Sequence, residues 1–122
     1  MLVDCGKQTT AQYISHTMSI PYDKDSIASC TAIAGEMLGL KLIYLDGGSG
    51  AGKPINPAMI NAVRRSVDVP IIAGGGINSA EKALEALNAG ADVIVIGNGI
   101  EEKPGLLVDV SQQIEEMNRE LV

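Results

Sequence analysis

The sequence predicts an α/β protein: the C-terminal half of a (β/α)8 (TIM) barrel, with about four parallel strands and four helices in one unit over residues 1–122. Three observations lead there. Short, near-continuous apolar strands alternate with helical patterns, which is the signature of a parallel sheet covered by helices. Asp46, Gly74-Gly75-Gly76 and Gly97-Asn98 follow strand ends in consecutive units. A barrel places functional residues at such ends around its C-terminal rim, whereas a doubly wound sheet gathers them at one switch point. Finally, a whole barrel takes about 250 residues, and 122 supply half. The sequence opens inside a strand, so the other half is expected on the N-terminal side.

Each element has its own signal. Residues 2–5 read as the tail of a strand, followed by a polar loop up to Pro21. Over 26–38, Ile27, Cys30, Ile33, Ala34, Met37 and Leu38 recur at helical spacing, and Gly39 offers a stop. Residues 40–45 form a short apolar strand, and 47–57 a loop. Pro57 suits a first helical turn, ahead of Met59, Ile60, Val63 and Val67. Residues 69–73 are the next strand. Ser79 caps a helix carrying Ala80, Ala83, Leu84 and Leu87, which Gly90 ends. Residues 92–96 are the last strand. Leu107, Val110, Ile114, Met117 and Leu121 then mark a final helix by spacings of three and four. Met37, Met59 and Met117 are expected in the core.

Composition narrows the function. A net charge of −6, with no Trp or Phe, argues against a nucleic-acid surface, which needs clustered cations and stacking aromatics. An anionic small ligand stays open, because backbone N–H groups hold phosphate without basic side chains. Two cysteines do not make a disulfide scaffold. No apolar run reaches the roughly 18–20 residues that span a bilayer. A soluble, cytoplasmic protein is expected. No Cys/His cluster offers zinc ligands, Gly52-Lys53-Pro54 lacks the hydroxyl of a Walker loop, and the lone His16 sits in a polar loop.

The chemistry-bearing residues are few. The two glycine clusters, each ending an apolar strand, suggest one shared phosphate site. In Tyr44-Leu45-Asp46-Gly47-Gly48-Ser49-Gly50, strand alternation points Tyr44 and Asp46 the same way and Leu45 opposite. A carboxylate there accepts a proton from a substrate hydroxyl, and the phenol hydrogen-bonds a phosphate oxygen. The plain structural alternative is a turn built from Asp46 and its glycines; Asn98 has a similar alternative in a left-handed turn.

These motifs, with the Ile20-Pro21 turn and the Ala34-Gly35-Glu36-Met37-Leu38-Gly39 helix end, resemble those of the geranylgeranylglyceryl and heptaprenylglyceryl phosphate synthase family. The resemblance runs through nearly the whole chain and implies a TIM barrel. The implied reaction moves a prenyl group from a prenyl diphosphate to the 3-hydroxyl of sn-glycerol 1-phosphate, with magnesium, to make an ether lipid. It implies that Tyr44, Leu45, Asp46, Gly47, Gly48, Ser49 and Gly50 line the glycerol phosphate site. Gly75, Gly76, Gly97 and Asn98 would hold the phosphate. Asp46, where many members have glutamate, would be the base. The family's magnesium aspartate and a substrate lysine belong to the first barrel strand, so no metal ligand is expected in this chain, and the chain alone is expected to be inactive. Homo-oligomers and peripheral membrane contact through the lipid product are also expected. Two other functions fit the residues: a different phosphate-binding barrel enzyme, or a non-catalytic half-barrel that binds phosphate and self-associates.

Overall fold

The computed structural model describes residues 1–122. Three parallel strands form a sheet in sequence order: β1 (Ile43–Asp46), β2 (Ile71–Gly74) and β3 (Val93–Val95). The N-terminal residues add a further edge. Leu2 bridges to Asp46 and Val3 to Ile20, both in parallel, with the Val3 N–H on the Asp46 carbonyl at 2.9 Å. The expected four strands are therefore three plus this short bridge segment.

Six helices accompany them: α1 (Thr10–Ser15), α2 (Asp25–Met37), α3 (Pro57–Arg64), α4 (Ala80–Asn88), α5 (Asn98–Glu102) and α6 (Gly105–Glu120). Two more helices are present than expected, because α1 lies in the polar loop and α5 starts at Asn98. Both are single short turns without a buried residue, so neither leaves an apolar period in the sequence. The other caps follow local chemistry. Asn56 accepts the Ala58 N–H ahead of Pro57, and Ser79 accepts the Lys82 N–H.

Register levels the strand exits. Asp46 pairs with Gly74, and Gly74 with Val95. The β1, β2 and β3 exits thus lie level on one rim. At the opposite end, Arg64 reaches Asp92 at 3.0 Å while Asp92 also accepts the Ile71 N–H at 2.8 Å, tying the entrances of β2 and β3 to α3. Leu45, Met59, Ile60, Val63 and Ile71 fill the core between sheet and helices, each worth about 1.5–3 kcal/mol on full burial.

The apolar stripe expected to bury α2 faces outward instead. Ala28, Ala32 and Gly35 make the inner face, while Ile27, Ile33, Met37 and Leu38 are exposed, Met37 by 83%. Small residues let α2 approach its neighbours closely, and Glu36 locks that approach by accepting the Asp68 and Val69 N–H groups. A similar shift affects α6, where Leu106 and Val110 are buried but Leu107 and Leu121 are exposed. Met59 is in the core as expected, and Met117 is only partly covered.

Candidate functional site

The aligned strand exits enclose a cavity of about 540 Å³. From β1 come Tyr44 and Asp46, on the same face by strand alternation. The following loop contributes Gly48, Ser49 and Gly50, the β2 exit Gly75 and Gly76, and the β3 exit Gly97 and Asn98. Nine of the eleven expected site residues therefore meet at one cavity. Leu45 and Gly47 do not line it. The Leu45 side chain is fully buried in the core on the opposite face. Gly47 is buried too, its N–H on the Gly74 carbonyl at 2.9 Å.

Hydrogen bonds brace the three loops together. The Ser49 hydroxyl donates to Asn98 Oδ1 at 3.0 Å across 49 residues of sequence. This leaves the Asn98 amide nitrogen as a donor, and it sits 3.8 Å from where a β-carbon on Gly50 would lie. Asp46 Oδ1 accepts the Gly48 N–H at 2.8 Å, so the structural turn and the candidate base coexist: one oxygen holds the loop, the other is spare. The Tyr44 hydroxyl lies against Gly74, where an added β-carbon would stand only 2.7 Å from it. Burial, and then the Asp46 carboxylate, raise the Tyr44 pKa above its ordinary value of 10, which keeps the phenol a hydrogen-bond donor.

The glycines divide into two kinds. Gly76 has φ +71°, and a β-carbon there would run into the Lys53 carbonyl and reach Pro54 N at 2.7 Å; its missing side chain is replaced by protein. Gly97 has nothing within 4 Å of the same position, so at that residue a ligand can approach the bare backbone.

Sequence reasoning missed the α1 contribution. Thr9, Thr10 and Ala11 also line the cavity, as does Glu102 of α5. The signal existed: Thr9 and Gln12 form a capping box, with the Thr9 N–H on Gln12 Oε1 at 2.8 Å. Taken together, the cavity presents a phenol, an amide and glycine backbone to an anion, with a carboxylate beside them for a hydroxyl. No three His, Cys, Asp or Glu side chains come together to hold a metal ion.

Comparison with known proteins gives concordant matches. A model described as the PcrB family matches residues 2–119. The geranylgeranylglyceryl phosphate synthase of Spirosoma linguale is 60% identical over 122 residues, covering 100% of this chain and 49% of that protein. That of Thermococcus kodakarensis is 46% identical over 119 residues, 98% of this chain and 46% of that protein. Among solved structures, (S)-3-O-geranylgeranylglyceryl phosphate synthase from Thermoplasma acidophilum, in complex with its substrate sn-glycerol-1-phosphate, aligns with a TM-score of 0.84 and 30% identity. That alignment covers 94% of this chain and 47% of that one. The chain spans about half the length of the curated relatives it matches. Its sheet and helices correspond to about half of a TIM barrel.

Proposed function

The chain belongs to the PcrB family, and from that premise we propose that it forms the acceptor side of a prenyltransferase that makes geranylgeranylglyceryl phosphate. The observation that carries this is the meeting of Tyr44 and Asp46 with both glycine exits at one cavity, in a chain whose fold matches a relative solved with sn-glycerol-1-phosphate. The phosphate of sn-glycerol 1-phosphate rests on the backbone of Gly75, Gly76 and Gly97, with the Asn98 amide nitrogen and Tyr44 as side-chain donors and the Ser49 hydroxyl holding Asn98 in place. Its 3-hydroxyl is turned toward the spare oxygen of Asp46. As that hydroxyl attacks the first carbon of a prenyl diphosphate, the new C–O ether bond forms, the bond to the diphosphate breaks, and Asp46 takes the hydroxyl proton.

Magnesium, which would neutralise the diphosphate leaving group, belongs to the same proposal, with its ligands in the half of the relatives that this chain does not cover, since no three His, Cys, Asp or Glu side chains of this chain come together to hold it. A cytoplasmic location and contact with a membrane surface belong to the same proposal, supported by the amphiphilic product. No helix is long and apolar enough to cross a membrane. Self-association belongs to it as well, supported by the exposed Ile33 and Met37.

Joining the chain to the remainder of the Spirosoma linguale relative gives a complete barrel for assay. With geranylgeranyl diphosphate it is expected to alkylate sn-glycerol 1-phosphate in preference to its mirror-image 3-phosphate. Asp46→Asn keeps the acceptor for the Gly48 N–H, so the loop survives, but kcat is expected to fall by about 10²-fold or more, as for loss of a general base. Unchanged turnover in that variant would remove Asp46 from the proton-transfer role.

A further inference from the structure

We propose that Lys7 adds a positive charge to the phosphate site, closing over the bound anion from the α1 side. This rests on the acceptor-site reading above and adds a residue to it. The cavity lining holds two carboxylates, Asp46 and Glu102, and no Lys or Arg. A phosphate dianion placed there meets like charges, which backbone N–H dipoles and neutral donors only partly offset. The structure places one cation of this chain close by. The Lys7 ammonium lies 3.6 Å from where a β-carbon on Gly50 would stand, on the same glycine that the Asn98 amide approaches to 3.8 Å.

Its neighbours hold it in place. Cys5 is fully buried and its carbonyl accepts the Gly52 N–H at 3.1 Å, fastening this segment to the loop after β1. Asp4 Oδ1 accepts the Gly6 N–H at 3.0 Å, turning the chain toward the cavity. Thr9, two residues beyond Lys7, is buried and caps α1. Between these anchors the Lys7 side chain is exposed and belongs to none of the three ion pairs in the chain.

Two other lysines near this rim are occupied. Lys53 sits over the Tyr22 ring at 3.4 Å, and Lys82 donates to Asn78 Oδ1 at 2.8 Å. Lys7 is thus free to pair with a ligand, and a charge-assisted hydrogen bond from an ammonium to a phosphate oxygen is among the stronger polar contacts available.

Calorimetric titration of sn-glycerol 1-phosphate into the wild type, Lys7→Gln and Lys7→Arg tests the assignment. Gln is expected to weaken binding about ten-fold at low salt, and Arg to stay within about three-fold of wild type because the charge is kept. The wild-type advantage over Gln is expected to shrink in about 0.5 M salt, where screening shortens the reach of an exposed charge. Thermal melts should coincide for all three proteins, since the Lys7 side chain is exposed and in no ion pair. Equal affinity of Gln and wild type at low salt would overturn the proposal. So would a loss in Gln that salt does not diminish, or an equal loss in Arg. Failure of the wild type itself to bind any phosphate ester is a different result, which removes the cradle and Lys7's role with it.

Discussion

The two kinds of glycine at the rim make opposite demands when each is changed to alanine. In Gly76→Ala the new methyl must be accommodated at φ +71°, a left-handed conformation that costs an L-residue about 1–2 kcal/mol. It must also displace the Lys53–Pro54 backbone, and forcing atoms into packed protein typically costs about 1–3 kcal/mol more. The reduced entropy of the unfolded chain returns about 0.4–1 kcal/mol. The net loss is about 2–4 kcal/mol, a large part of the ~5–15 kcal/mol that holds a typical domain folded. With a urea slope of about 1–3 kcal/mol per molar, the unfolding midpoint should fall by roughly 0.7–4 M. Gly97→Ala meets open space and a negative φ, so its midpoint should stay within about 0.3 M of wild type. Its methyl, however, enters the cavity where the proposed phosphate would approach the backbone. Affinity for sn-glycerol 1-phosphate should drop by about ten-fold or more, the scale of losing one charge-assisted contact. A wild-type midpoint for Gly76→Ala would refute the packing argument, and wild-type affinity for Gly97→Ala would refute the approach of phosphate at the β3 exit.

Other tests probe single groups. Tyr44→Phe leaves the ring against Gly74 and should keep the melting temperature, while sn-glycerol 1-phosphate binding weakens by about five- to ten-fold for one lost neutral donor. Cys5 links folding to alkaline pH: burial first, against partial relief from Lys53, pushes its thiol from 9.0 up to about 11. The folded state then holds a proton that the unfolded chain releases, so stability is full below pH 9 and falls as pH rises toward 11, by about 2–3 kcal/mol. Urea midpoints between pH 8 and 10 should decline in the wild type and stay flatter in Cys5→Ala; parallel declines would discount the thiol.

Much of the site was legible because strand geometry is local. Alternation along β1 separates Tyr44 and Asp46 from Leu45, and parallel connections bring every strand exit to one rim. The same logic placed Gly75, Gly76, Gly97 and Asn98 at one cavity with Ser49. Leu45 and Gly47 fell outside it, since a motif read as a continuous string conceals that alternate members face opposite ways. Thr9, Thr10 and Ala11 were missed because α1 buries no residue and so carries no apolar period, only its capping box.

What the sequence determined by itself was the order and type of the elements from α2 to β3 and of α6, and the common level of the strand exits, all properties of residues near one another along the chain. Only the tertiary structure decided which face of α2 turns inward, for an apolar stripe records that a face avoids water but not what meets it. The small Ala28–Ala32–Gly35 face permits close packing, and the larger stripe is left outside. It also decided why the glycines are glycines. Gly76 is required by the Lys53 carbonyl that crosses it and Gly97 borders open space, a distinction set by segments distant in sequence and close in the fold.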